Sequence, residues 1–147
     1  PEASDASWAL RWVGSHRNVH VILSGMSDEQ QVADNLATFA HTAPLTDEEQ
    51  AAVAEAARLY RARTRVPCTG CRYCMPCPAG VDIPGVFRIW NEGGLYGDEA
   101  ALKQYRLRMD EKSRADVCVA CGKCASVCPQ HIDVPEMMKQ AAAWANE

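Results

Sequence analysis

Two runs of closely spaced cysteines, Cys68, Cys71, Cys74, Cys77 and Cys118, Cys121, Cys124, Cys128, hold all eight cysteines of the chain, and each run ends in a Cys-Pro pair. This spacing limits the fold before any other residue is read, because thiols set three residues apart converge on something held between them. A C-x-x-C-x-x-C run wraps one corner of a four-iron cluster, and a fourth thiolate followed by proline reaches it from a distance. The second run, C-x-x-C-x-x-C-x-x-x-C-P, has the bacterial ferredoxin spacing. The first is one residue shorter, with only Met75 and Pro76 between Cys74 and Cys77. In two-cluster ferredoxins the fourth cysteine of each run ligates the other cluster, so this gap spaces two clusters and tolerates change. The expected ligand sets are Cys68, Cys71, Cys74 with Cys128, and Cys118, Cys121, Cys124 with Cys77. Spacing alone leaves the exchange of Cys77 and Cys128 open. The chemistry that follows from such sets is electron transfer through two 4Fe-4S clusters.

Disulfides and zinc are the competing uses of eight cysteines. A disulfide scaffold belongs to short secreted chains, and here no apolar signal segment is seen and the cysteines are too clustered for spread-out staples. Structural zinc takes two ligands from each of two separated knuckles, whereas runs of three or four with a trailing Cys-Pro favour iron and sulfide. A zinc-bound interaction module without a redox role, and a free-standing helical ferredoxin, are the alternatives to a cluster domain within a larger enzyme.

An internal repeat accompanies the runs. Cys77-Pro78-Ala79-Gly80-Val81-Asp82-Ile83-Pro84 matches Cys128-Pro129-Gln130-His131-Ile132-Asp133-Val134-Pro135, position for position. In each copy a Cys-Pro ends the ligand turn, a β-branched residue and an Asp lead outward, and Pro84 or Pro135 opens a helix where a missing N–H costs nothing. Between the runs, Pro84 to about Asn91 reads as a helix stopped by Gly93-Gly94, and Asp98 as the cap of another reaching about Met109. Neither segment alternates as a strand would, so the two runs point to an all-helical ferredoxin arrangement. Phe87, Trp90, Tyr96, Tyr105 and Trp144 read as core around the clusters. Arg72 and Lys123, each near a third ligand, are candidates for offsetting cluster charge.

The chain has 147 residues, an apolar content of 48% and abundant alanine, which suits one packed helical domain or a small domain with an appendage. No apolar run approaches a membrane span. A formal charge of −4 and a pI near 5.6 argue against nucleic acid as a partner. Reduced cysteines imply the cytoplasm.

Ahead of the cysteines, Ser4 to Val13 has a helical pattern stopped by Gly14 and Ser15, and Val19 to Leu23 reads as a short β-branched strand followed by the turn Ser24-Gly25-Met26. Ser27 with Gln30 forms a capping-box pattern for a helix carrying Val32, Leu36 and Phe39. A strand, a glycine turn and a helix N-terminus together make an anion-site pattern. Thr46 with Glu49 forms a second capping box, opening a helix to about Arg63. Arg58, Arg61, Arg63 and Arg65 crowd its end, where cations suit the exposed carbonyls or dock an acidic redox partner. A lone strand cannot pair its own edges, so its sheet is expected elsewhere, and the opening at Pro1 reads as the middle of something longer.

The stretch from Trp8 to Asn35, with Leu10-Arg11-Trp12-Val13, Val19 to Leu23, Ser24-Gly25-Met26-Ser27 and Gln31-Val32-Ala33-Asp34-Asn35-Leu36, resembles the end of an aldo/keto reductase barrel, its last strand and helix. Pro67-Cys68-Thr69-Gly70-Cys71-Arg72-Tyr73-Cys74-Met75-Pro76-Cys77-Pro78 resembles the C-terminal iron–sulfur extension of one branch of that family. The resemblance implies a mainly α chain: residues 1–44 a strand and helix remnant of a (β/α)8 barrel, 45–66 a connecting helix, and 67–147 a helical two-cluster ferredoxin-like domain. It further implies that Gly25, Met26, Ser27, Gln31 and Asn35 line the adenosine end of an NADP or NAD site, which would form only with the rest of the barrel. The cation usual near this turn is absent. The family's catalytic Asp, Tyr, Lys and His come from earlier strands, so no catalytic residue is expected in this chain. The implied partners are the barrel itself and a redox protein, with no membrane.

Overall fold

Seven α-helices and two short 3-10 turns carry the order found in the computed structural model, which describes residues 4–40 and 44–147. By their internal contacts they divide into two units, Pro1–Leu59 and Tyr60–Glu147, with the boundary inside the third helix.

In the first unit, α1 spans Asp5–Gly14, with the Ser4 hydroxyl accepting from the Ser7 N–H as its N-cap. The helix ends at Gly14 and Ser15, as its sequence predicts. α2 spans Glu29–Ala40 and packs on α1. Its start lies one residue later than the Ser27–Gln30 pattern predicts. The Asp28 carboxylate accepts from the Gln31 N–H at 2.8 Å while the Gln31 side chain accepts from the Ser27 N–H at 2.8 Å. An ionised Asp is the stronger acceptor for N–H groups at a positive helix end, so it displaces the serine. α3, Asp47–Arg63, opens with the reciprocal bonds of the expected capping box, Thr46 N–H to the Glu49 carboxylate and Glu49 N–H to the Thr46 hydroxyl. Glu49 also receives both guanidinium nitrogens of Arg11 at 2.8 Å.

The expected strand at Val19–Leu23 is not formed, and no strand occurs among the described residues. The segment is irregular, with Val21 77% and Leu23 94% exposed. A strand needs a neighbouring strand to pair its N–H and C=O groups, and none is formed among the described residues; the Val19 N–H donates back to the His16 carbonyl at 3.0 Å instead. The β part of the expected barrel remnant is therefore absent; positions 1–3 and 41–43 of that remnant lie outside the described residues.

The second unit is built on α4, Ile83–Tyr96, which packs against α5, Asp98–Arg108, and α7, Val134–Ala145. Short 3-10 turns at Glu111–Ser113 and Ala115–Val117 and the one-turn α6, Lys123–Ser126, complete it. Phe87, Ile89, Trp90, Tyr105, Met138 and Trp144 lie in one buried cluster, which brings α4, α5 and α7 onto a single core. No helix of the described residues is long and apolar enough to cross a membrane.

Three expectations for this unit are corrected. α4 does not stop at Gly93-Gly94 but runs through them to Tyr96. The glycines serve close approach: a Cβ on Gly94 would collide with the Arg63 carbonyl, and one on Gly93 would lie 2.5 Å from an Asp98 carboxylate oxygen and 3.3 Å from the Trp144 ring. Asp98 does not cap α5, whose N-cap is Gly97 without a side-chain bond. Its carboxylate is taken by Arg65 at 2.8 Å and by the Trp144 indole N–H at 2.5 Å. Tyr96 is not core. At the last turn of α4 its side chain is 81% exposed.

Candidate metal centres

The two halves of the second unit repeat at the level of the backbone. Asp82 and Asp133 stand just before α4 and α7, and their carboxylates accept from the N–H three residues on, Gly85 at 3.4 Å and Glu136 at 3.3 Å. Pro84 and Pro135 occupy the first turn in both. Left-handed residues also fall in register. Gly70 and Arg72 flank Cys71 as Ala120 and Gly122 flank Cys121, and Gly80 stands where His131 does in the later copy. Each pair contains one glycine, for which positive φ is free of Cβ strain, and one residue for which it is not. These left-handed steps reverse the chain on either side of an exposed cysteine, turning the ligand loop back toward its own middle.

Each loop is anchored from behind by a side chain. The Asn91 amide of α4 accepts from the N–H groups of both Arg65 and Val66 at 3.0 Å and donates to the Val66 carbonyl at 2.8 Å, fixing the chain two residues before Cys68. The Tyr105 hydroxyl of α5 accepts from the Ala115 N–H at 2.8 Å, fixing the chain three residues before Cys118. The halves are joined across the middle by the Asp82 N–H, which donates to the Ser113 carbonyl at 2.9 Å.

The cysteines gather around two cavities. Cys68, Cys71 and Cys74 line one together with Cys128, among Ile83, Phe87, Ile132 and Val134. Cys118, Cys121 and Cys124 line the other together with Cys77, among Val81, Ile83, Val134 and Met138. Each cavity thus takes three thiols from one run and the fourth from the other run. No disulfide joins any of the eight. Among the described residues, no group of three or more His, Cys, Asp or Glu side chains closes around a single ion. The thiols are spread over the walls of a space instead of meeting at a point.

Burial pushes the free thiols of Cys68, Cys74 and Cys124 up from the ordinary thiol range, with neighbouring thiols adding to the effect. The Gly70 N–H, pointing at the Cys68 sulfur from 3.5 Å, opposes this shift. A thiol pushed up in this way is held as a thiolate when a cation is bound beside it. Cys71 and Cys121 are the exposed members of their sets. Arg72 and Lys123 are exposed too.

The residues expected at the nucleotide end behave otherwise. Ser27 and Gln31 are bonded to each other as part of the α2 cap, and Asn35 donates to the Ser24 hydroxyl at 2.8 Å. Gly25 has no atom near the place of a Cβ, and Met26 is exposed. The turn is thus tied to its own helix through Ser27, Gln31 and Asn35. Asn91, Ala120 and His131 are site-shaping positions that sequence reasoning missed, as were the loop anchor made by the Tyr105 hydroxyl and the left-handed backbone of Arg72. Register within the repeat carries a signal for Arg72, Ala120 and His131, since each aligns with a glycine of the other copy.

Residues 67–132 match the family model of the 4Fe-4S dicluster domain. No curated protein and no solved structure matches the chain.

Proposed function

We propose that this protein transfers electrons through two 4Fe-4S clusters, one held by Cys68, Cys71, Cys74 and Cys128 and the other by Cys118, Cys121, Cys124 and Cys77. The observation that carries this reading is the crossed lining of the two cavities, three thiols from one run and one from the other in both. That is the two-cluster ferredoxin pattern, and it accommodates the short first run. When bound, such a cluster supplies one-electron chemistry by a change of iron valence.

The chain's own residues do the rest. Isoleucine, valine and phenylalanine side chains keep water from the inner walls, and N–H groups such as that of Gly70 donate toward sulfur, both of which set potential. Asn91 and Tyr105 hold the loops at fixed places on α4 and α5, which fixes the separation of the two sets. Free thiols in this number belong in a reducing compartment, which favours the cytoplasm.

The finer reading is that this unit is the iron–sulfur extension of an aldo/keto reductase-like oxidoreductase, its partners being the family's barrel and a redox protein. The word-like string Pro67 to Pro78 supports it. The exposed apolar residues of the irregular segment, Val21 and Leu23, suit a chain that pairs with neighbouring strands. NADP or NAD would then bind at Gly25, Met26, Ser27, Gln31 and Asn35 only with that barrel in place. An upstream barrel in the same reading frame would support this parentage, and a start codon directly ahead of α1 would refute it.

The test of the main reading is anaerobic purification with iron and sulfide analysis and electron paramagnetic resonance of the reduced protein. Roughly eight irons per chain and a broad band near 400 nm, at order-of-magnitude precision, are expected for two clusters. A colourless protein containing zinc overturns the reading.

A further inference from the structure

Beside each ligand loop lies an open groove, and the two grooves occupy equivalent places in the repeat. Cys68, Gly70, Asp82, Pro84 and Arg88 border the first, as Cys118, Ala120, Asp133, Pro135 and Lys139 border the second. The backbone devices are shared, yet the chemistry added to them differs. The first groove holds about 600 Å3 and carries two tyrosines, Tyr60 and Tyr96, with Arg72 and Arg88 balancing Asp82 and Glu92, of which Glu92 is paired with Arg88 and Asp82 caps α4. The second, of about 490 Å3, carries Asp116 and Glu136 and no aromatic side chain.

Two features of the first groove call for an occupant. Tyr96 is 81% and Tyr60 58% exposed, leaving two phenol rings uncovered in one depression. The Arg72 guanidinium makes no ion pair or side-chain hydrogen bond among the described residues, whereas Arg88 beside it is paired with Glu92 at 2.6 Å. Arg72 also sits at φ 67, where the other copy has Gly122. A side chain kept in a left-handed position is strained, and such strain gathers at functional sites. The size lies within the range of ligand sites, and the mixture of rings and a free guanidinium suits a flat aromatic body bearing negative charge.

We propose that the groove bordered by Cys68, Arg72, Tyr60 and Tyr96 binds a planar aromatic anion, its ring against the tyrosines and its phosphate or carboxylate on the Arg72 guanidinium. The equivalent groove beside Cys118 does not, because there Asp116, Asp133 and Glu136 outnumber Lys139 and no ring is offered, whereas charges balance in the first groove. That such a ligand should be an electron carrier rests on the cluster reading above, since Cys68 forms a wall of both the groove and the first cysteine cavity.

Flavin mononucleotide and riboflavin are suitable probes, sharing a ring system and differing in the phosphate. Titration of the full chain, followed by flavin fluorescence, is expected to saturate with the phosphorylated probe and to be weaker with riboflavin. Arg72→Gly, which places the residue of Gly122 there and relieves the backbone, should weaken the phosphorylated probe about tenfold, the size of one charge-assisted hydrogen bond, and leave riboflavin unchanged. Tyr96→Ala should weaken both. Lys139→Ala, in the other groove, should change neither. Absence of saturable binding in iron-loaded protein, or equal loss with Lys139→Ala and Arg72→Gly, overturns the site. Iron analysis of the same sample separates this from the cluster reading: iron-loaded protein that fails to bind sinks the groove alone, and a zinc-loaded protein that binds sustains the groove while removing the clusters.

Discussion

Asn91 clasps Val66 in both directions, accepting from its N–H at 3.0 Å and donating to its carbonyl at 2.8 Å. Val66 is fully buried, so these are groups that water cannot reach. Replacing Asn91 with Ala leaves a buried donor and acceptor unsatisfied, and should cost about 2–4 kcal/mol from the two lost partners. Urea unfolding followed by Trp fluorescence measures this. Because the clasp lies just before Cys68, iron release from the first set should quicken more than from the second.

Tyr105 plays the matching part for the second set. Tyr105→Phe keeps the ring, which packs edge-on to Trp144 at 5.8 Å between centroids, and removes only the acceptor for the Ala115 N–H. A loss of about 1–2 kcal/mol is expected from one unpaired buried N–H. If the two proposed clusters are present, the resonance of the one held by the second set should broaden or fade before the other, the reverse of the order for Asn91→Ala.

The left-handed residues offer a gain instead of a loss. Ala120→Gly and His131→Gly remove Cβ strain at φ 52 and φ 53. Against the added freedom of glycine in the unfolded chain, each should stabilise the protein by about 0.5–1 kcal/mol. Gly80→Ala should do the opposite, since φ is 87 and the new Cβ would lie 3.2 Å from the Lys112 carbonyl. Melting temperatures of the three variants decide the matter.

Asp98 gives the second unit an acid limit. The Arg65 guanidinium first, and the Trp144 indole N–H after it, hold this carboxyl below the usual carboxylate range. A lowered carboxylate contributes stability that is complete above its unfolded value near 3.8 and is lost as pH falls through the lower folded value. The side chain is 45% exposed, so solvent screening limits the effect to about 1 kcal/mol. Asp98→Asn should lower stability at neutral pH by that amount and flatten the acid limb of a stability profile. Arg65 lies 5.8 Å from the Trp90 ring and 5.5 Å from the Trp144 ring, so Trp fluorescence reports its release.

Features whose cause is local were legible in the sequence. The Thr46–Glu49 box and the Asp-x-Pro starts of α4 and α7 each work through residues within a few positions of one another, and each is found as its pattern predicts. Features whose cause lies across the fold were misread. Gly93 and Gly94 look like a helix stop because nothing nearby reveals that Arg63, Asp98 and Trp144 press on them. Asp98 has the right residue type and place for a cap, but a cationic partner 33 positions earlier holds it elsewhere. Val19 to Leu23 has strand composition, which is a preference for a pleated, half-covered surface and cannot create that surface. The fourth wall of each cysteine cavity lies between these cases, since spacing leaves the exchange of Cys77 and Cys128 open. It is a long-range relation that the ferredoxin spacing suggests and that only the fold's two cavity linings choose, Cys128 beside the first run and Cys77 beside the second.

On the proposed ligand sets, that relation sets a schedule for synthesis. The first cavity needs Cys128, so the segment carrying Cys68, Cys71 and Cys74 waits incomplete until nearly all of the second unit has been made. The second cavity needs only Cys124 and the earlier Cys77, so it can close sooner. On a growing chain the set drawn mainly from the later run is therefore the first to be complete, and neither set can be filled by one run alone.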